Sequence, residues 1–363
     1  MPRLLAIETS CDECSAAVLE RTPRFVAARS NVIFSQIDLH RRFGGVVPEV
    51  ASRNHLEMVT PVVEEALEKA GVGFNDLDAV AVTQRPGLIG ALLVGVSTAK
   101  AIAYALNKPL VGVNHLEGHL HSVFIDGQQG CERLGPQNLP LLACLVSGGH
   151  TNLYLIRELP PRGLGAEKLS ESRDDAAGEA FDKTAKLLGL PYPGGVHLDR
   201  GAKSGNPAAI DFPRALPGRK NMEFSFSGLK TAVATELKKR GFEPYGVGAS
   251  WGTQPDPAKL PQGKELADFC ASIQEAIVQT LLRKIRIALG ETGARGLAVV
   301  GGVSANSRFR ELLATDVKVP VFFPDHQYCT DNAAMIGAAG IFMLERGEVL
   351  KGAELLAANA FSS

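Results

Sequence analysis

A strand pair around a turn of small or polar residues, followed by helices, occurs twice in this chain, and that recurrence narrows the possible folds more than any other feature. Arg3 to Ile7 and Ala16 to Leu19 read as strands joined by the polar turn Glu8 to Ser15, with Phe25 to Asn31 continuing the sheet. Pro140 to Val146 and Asn152 to Ile156 read as a second pair around Ser147-Gly-Gly-His-Thr151. No sequence repeat accompanies the pattern, so it points to duplicated architecture only. A chain of 363 residues suits two lobes of average domain size.

The rest of the pattern is αβ. Apolar Leu56, Val59, Val63 and Leu67 recur at helical spacing within Glu49 to Ala70, and Ala91 to Leu106 is a helix rich in small residues. Leu77 to Thr83, Leu110 to Val113 and Leu297 to Val300 are short buried strands. Glu265 to Leu289 is a long core helix, with shorter ones over Ser307 to Leu313 and Asn332 to Arg346. Gly127 to Asn138 and Gly241 to Gly263 read as exposed connections.

Composition excludes some functions. A net charge of -1 carries no global signature of a nucleic-acid binder, so an RNA partner would need a local patch. No apolar run approaches the roughly 20 residues that span a bilayer, and the first residues pass straight into a strand, which predicts a cytoplasmic protein. The six cysteines make no disulfide framework and read as reduced thiols. Cys11-Asp-Glu-Cys14 lacks the second pair that a zinc site needs and sits in a turn, where redox chemistry is disfavoured.

Chemistry-bearing residues gather in a few stretches. His115 and His119, at i and i+4 after a buried strand, share a helix face, and the distant Asp331 can complete a metal site; the plain alternative is two polar residues at a helix start. Glu117 lies about 200° around the helix from His115, which argues against a metallopeptidase. His121 reads as an exposed or capping histidine. Ser147 to Thr151 is either a hairpin turn or a phosphate cradle, and Gly301 to Asn306 is a second cradle or a tight turn with Asn306 as cap. The run from Asp174 to Lys183 is an acidic helix face or, with Asp199, a source of ribose acceptors in Asp182 and Asp199. Asp12 and Glu13 are turn residues or carboxylates facing a cleft.

Eight stretches, in order, resemble the TsaD (formerly Gcp) family of the Kae/Qri superfamily. They are Ile7 to Glu13, Gly44 to Arg53, His115 to His119, Val146 to Thr151, Gly178 to Gly195, Phe224 to Thr231, Gly301 to Asn306 and Cys329 to Asn332. His150 matches the bacterial or organellar type. Two departures stand out: Arg85 where the family commonly has Gly before Pro-Gly-Leu, and Cys14-Ser15 where it has Thr-Gly.

The resemblance implies an α/β, two-lobed ASKHA fold, that of actin, sugar kinases and heat-shock chaperone ATPases, with the ligand between the lobes. Residues 1–130 plus 331–363 would form one lobe and 139–330 the other. It implies transfer of a threonylcarbamoyl group from threonylcarbamoyl-AMP to N6 of the adenosine 3′ of a tRNA anticodon. It also implies one divalent metal, with Fe²⁺ favoured over Zn²⁺, on His115, His119 and Asp331. Leu145, Val146, Ser147, Gly148 and Gly149 match a donor-binding loop, Asp182, Gly195 and Asp199 ribose contacts, and Asn306 the adenine side. Asp12 or Glu13 is the expected proton acceptor. Expected partners are a TsaB-type pseudo-paralogue and a TsaE-type ATPase, with no membrane. The competing reading is a kinase or ATPase on the same fold.

Overall fold

The computed structural model describes all residues except 42, 129, 219–220, 247–255 and 352–363. In chain order its strands are β1 (Arg3–Glu8), β2 (Glu13–Arg21), β3 (Val26–Ser35), β4 (Ala79–Arg85), β5 (Leu110–Asn114), β6 (Leu141–Val146), β7 (Thr151–Ile156), β8 (Glu167–Glu171), β9 (Gly296–Val300) and β10 (Val321–Phe322). The helices are α1 (Ile37–Arg41), α2 (Pro48–Ala70), α3 (Ile89–Ala105), α4 (His115–His121), α5 (Ala177–Leu187), α6 (Gly194–Ala202), α7 (Ser227–Lys239), α8 (Gly263–Thr292), α9 (Ser307–Asp316), α10 (His326–Cys329) and α11 (Ala333–Glu345).

The duplication is architectural. One sheet runs β3-β2-β1-β4-β5 and the other, read from its far edge, β8-β7-β6-β9-β10. In each, an antiparallel hairpin and a third antiparallel strand are extended by two parallel strands.

Alternation along the strands sorts side chains into layers. From β1, Leu5 and Ile7 join Val59, Val63 and Val96 in a core beneath α2 and α3, while Leu4 and Ala6 face a central core. From β6, Leu142, Cys144 and Val146 pack with Phe181, Leu281 and Phe309, while Leu141, Ala143 and Leu145 face the same central core. That shared layer is filled by α11, whose Ala333, Ile336, Ala339 and Phe342 are fully buried, and by the segment after α4. Small residues permit this: a Cβ on Gly337 would stand 2.0 Å from the Leu19 side chain, so α11 lies directly on β2.

Three expectations change. Leu56 is 66% exposed, because α2 turns His55 inward instead. His55 Nε2 lies 2.9 Å from the Cys11 carbonyl oxygen, beneath the first hairpin tip. Gly127 to Asn138 is not an exposed connection: Gln128, Cys131, Leu134 and Asn138 are buried, and Arg24 donates to the carbonyls of Cys131 and Leu134 at 3.0 and 2.7 Å. His121 is neither exposed nor a cap; it is buried between Phe124 and Phe342, with ring centroids 6.0 and 5.8 Å away. Part of the predicted loop over Gly241 to Gly263 lies outside the described residues, as does the end of the predicted first lobe. None of the described helices is long and apolar enough to cross a membrane.

Candidate metal and nucleotide site

Three neighbouring parallel strands end side by side at the central layer. β5 runs into α4, where Asn114 caps the helix by accepting the Leu116 amide at 2.9 Å and so sets the start of the turn that carries His115 and His119. Their rings meet edge to face, centroids 4.8 Å apart. Asp331 arrives from the segment before α11, with its Oδ1 at 3.5 Å from His115 Nε2 and 3.2 Å from His119 Nε2. One ligand atom from each of the three residues lies within 4.8 Å of the others.

The donor set fits a metal ion. His119 Nε2 is buried 3.2 Å from Asp331 Oδ1 yet makes no hydrogen bond, so it is an unsatisfied nitrogen that an ion shared with the carboxylate would satisfy. Two imidazole nitrogens and one carboxylate suit Fe²⁺ or Zn²⁺ and leave coordination positions open. Burial drives the two histidines toward the neutral form; for His119 that prevails, while for His115 the Asp331 and Glu8 carboxylates outweigh it and raise its pKa to about 9. Burial works against the Asp331 carboxylate too, but His115 and His119 hold it well below its ordinary range. Glu117 is not part of the cluster.

The second hairpin supplies a loop on the other side. Ser147 N donates to the His150 carbonyl at 2.8 Å, which closes the turn, and Gly148 and Gly149 are exposed with open space where a Cβ would stand. Their amides have no acceptor among the described residues. The start of α5 is sewn to this loop: Gly178 and Glu179 amides donate to the carbonyls of Ser147 and Gly148 at 3.2 and 3.1 Å. Gly301, at φ +91°, backs the loop so closely that a Cβ would lie 2.5 Å from the Val146 carbonyl oxygen. The two glycine-rich turns and α5 therefore form one assembly. Leu145 and Val146 are fully buried, so their side chains face the cores and only backbone is available there.

The remaining predicted residues divide by how far local structure already occupies them. Asp182 Oδ1 accepts the amides of Gly194 and Gly195 at 2.7 and 3.3 Å, capping α6, and Oδ2 has no protein partner among the described residues. Burial raises its pKa to about 6 against the pull of those amides. Asp199 binds the Ser307 hydroxyl at 2.7 Å. Asn306 caps α9 through Oδ1 to the Phe309 amide at 3.0 Å, and its Nδ2 donates to Gln274 at 2.7 Å. Asp174, from the acidic run, binds the start of α7 through the Phe226 amide at 2.7 Å.

Asp12 is buried at the first hairpin tip and Glu13 begins β2. Burial, then the neighbouring Asp12 and Asp331 charges, raise the Glu13 pKa well above the usual carboxylate range. Tyr192, ahead of α6, reaches across to Asp12 Oδ2 at 3.5 Å. Cys11 and Cys14 are free, and burial pushes the Cys14 thiol up to about 12, so neither is a ready thiolate.

Sequence reading missed Glu8 and Ser10, which reach the Nδ1 side of His115, and Thr83, which bonds Glu8. A carboxylate closing the apolar run Leu4-Leu-Ala-Ile7 was the available signal, since an acid there is buried only when it has partners.

Residues 27–338 match the family model described as TsaD, tRNA N6-adenosine threonylcarbamoyltransferase. The tRNA N6-adenosine threonylcarbamoyltransferase of Anaeromyxobacter dehalogenans (strain 2CP-C) is 52% identical over 353 residues, 96% of each chain. This chain belongs to the TsaD family. The Moorella thermoacetica member is 47% identical over 346 residues, 94% of this chain and 92% of that one. Among solved structures, component A of the Acidaminococcus fermentans (R)-2-hydroxyglutaryl-CoA dehydratase superposes with a TM-score of 0.51 at 12% identity, covering 95% of this chain and 99% of that one. That likeness concerns the fold alone, and the fold is the two-lobed ASKHA architecture. TsaD membership sets the chemistry as transferase action in tRNA modification, and sets aside the kinase and metallopeptidase readings.

Proposed function

We propose that the cleft between the two lobes holds threonylcarbamoyl-AMP and delivers its threonylcarbamoyl group to N6 of the adenosine 3′ of the anticodon in tRNA. The observation that carries this reading is a His-His-Asp cluster close enough for its charges to act on His150, in a glycine loop whose Gly148 and Gly149 amides have no acceptor among the described residues. His115, His119 and Asp331 would hold the ion, Fe²⁺ ahead of Zn²⁺, which when bound supplies positive charge to the donor's phosphate or carbamoyl oxygen.

The amides of Gly148 and Gly149 bind an anionic oxygen of the adenylate, with the α5 start fixing their direction. Asp182 Oδ2 is the free acceptor for a ribose hydroxyl; Asp199 and Gly195 complete that side. Asn306 serves the adenine side by fixing the start of α9, since its cap and Gln274 already engage its amide.

N6 is a weak nucleophile because its lone pair is shared with the ring, so positioning carries much of the rate. As the N–C bond forms, the C–O bond to AMP breaks and the amine proton leaves. Asp12 or Glu13 accepts that proton.

The lobes are residues 1–130 with 331–363, and 139–330, and the chain works in the cytoplasm with a TsaB-type pseudo-paralogue and a TsaE-type ATPase. Incubation with those partners, an enzyme that makes threonylcarbamoyl-AMP, ATP, threonine, bicarbonate and unmodified tRNA, followed by mass spectrometry of the nucleosides, tests the reading. Threonylcarbamoyladenosine is expected, and its loss in His115→Ala with nucleotide binding retained. Product formation unchanged in that variant would overturn the metal assignment.

A further inference from the structure

We infer that Glu8 is the positioning residue of the metal site, holding the His115 ring in the one tautomer that offers Nε2 to the ion. The inference rests on the metal reading above and extends it to a residue outside the ligand set.

Strand parity places Glu8. Leu4 and Ala6 of β1, Ala79 and Ala81 of β4, and Val111 and Val113 of β5 all face the central layer. Two residues after each of these pairs come Glu8, Thr83 and His115, so three adjacent parallel strands present a carboxylate, a hydroxyl and an imidazole at their carboxyl ends. The contacts follow. Glu8 Oε2 accepts from Thr83 Oγ1 at 2.5 Å and lies 3.1 Å from His115 Nδ1, while Oε1 accepts the Ser10 amide. Glu8 is fully buried, as is Thr83.

Each of these partners is a donor or can act as one. A backbone amide can only donate, and an ionised carboxylate can only accept, so His115 must carry its proton on Nδ1 to satisfy the contact. The lone pair then sits on Nε2, the nitrogen 3.5 Å from Asp331. Ser10 Oγ, 3.2 Å from the same Nδ1, can share that proton but cannot replace a charge. His119 has no such fastening: its Nδ1 is buried with no hydrogen-bond partner among the described residues. Of the two histidines, only His115 is pre-set by a carboxylate, as ligating histidines commonly are.

Glutamine cannot substitute. Its NH₂ group would face either the Ser10 amide or the pair formed by Thr83 and His115, leaving a donor against a donor. Aspartate keeps the charge but withdraws it by one methylene.

The test is competition for Zn²⁺ against a chromophoric chelator, run on wild type, Glu8→Gln and Glu8→Asp. It is paired with thermal melting and with ¹⁵N NMR of the histidine rings in the metal-free proteins, recorded well above pH 9 so that His115 is neutral and its tautomer can be read. Both variants are expected to bind Zn²⁺ about 10- to 100-fold more weakly. Folded Glu8→Gln is expected to lose the Nδ1–H signature of His115. A folded variant with wild-type Zn²⁺ affinity and an unchanged His115 tautomer would overturn the proposal. If Glu8→Gln does not fold, Glu8→Asp decides alone by the same two readouts. Wild type that takes up no Zn²⁺ or Fe²⁺ would instead sink the metal reading itself, so the two failures are distinguishable.

Discussion

The hydroxyl of Ser15 accepts the backbone amide of Ala333 at 2.9 Å and donates to the Val32 carbonyl at 2.7 Å, bolting the first turn of α11 to β2 across 318 residues. Asn31 Oδ1 takes the next amide, that of Ala334, at 3.3 Å. Asp331 lies two residues before this bolt, so its position depends on a side chain in the first hairpin. Ser15→Gly, which restores the residue common in the family, leaves a buried amide unsatisfied. A stability loss of about 1–3 kcal/mol is expected, together with weaker Zn²⁺ binding, measured by melting and chelator competition. Equal melting temperatures and affinities would show the bolt to be idle.

Metal addition should be visible as stabilisation. With Zn²⁺ at a hundred times its dissociation constant, the native state gains about 2.7 kcal/mol, so the melting temperature rises and a chelator reverses it. His119→Ala removes one of three ligands and should abolish the rise.

Nucleotide and metal binding should come apart at Gly178. A Cβ there would stand 2.6 Å from the Ser147 carbonyl oxygen, pushing α5 away from the glycine loop. Gly178→Ala is expected to weaken AMP binding by about tenfold or more, equivalent to ~1.4 kcal/mol, while Zn²⁺ affinity stays close to wild type. Calorimetric titration of each ligand separately checks this.

Lys284 predicts a pH dependence far from the site. Its side chain is fully buried in α8 and donates to the carbonyls of Leu216 and Asn221, both at 2.7 Å. Burial, reinforced by Arg283, lowers its pKa to about 8 from an ordinary value of 10.5. Between those values the unfolded chain holds a proton that the folded one has released, so the contribution of this group to stability rises with pH across about 8 to 10.5. The slope from this group is at most about 1.4 kcal/mol per pH unit. Denaturation of wild type and Lys284→Met across that range should show the wild-type stability rising relative to that of the variant by this slope.

Much of this was legible in the sequence where the cause is local. The hairpins declare themselves as strand-like runs flanking turns of small or polar residues, and His115 with His119 by helical spacing. β8, with one buried residue in five, and the two-residue β10 have no such pattern and exist because a neighbouring strand pairs with them. The inward face of α2 was misassigned by one position because a histidine, not Leu56, was needed under the hairpin tip. Glu8 stayed hidden for a related reason: its partners Thr83 and His115 stand 75 and 107 residues away.

The placement of α11 in the layer shared by both sheets also sets a clock. Glu8, His115 and His119 are made well before Asp331 and the amide that Ser15 receives. At about 5 to 20 residues per second, about 15 to 60 seconds separate Ser15 from Ala333. A nascent chain thus carries two histidines and a carboxylate awaiting their final companion, and an ion held by all three ligands would have to wait until Asp331 is made.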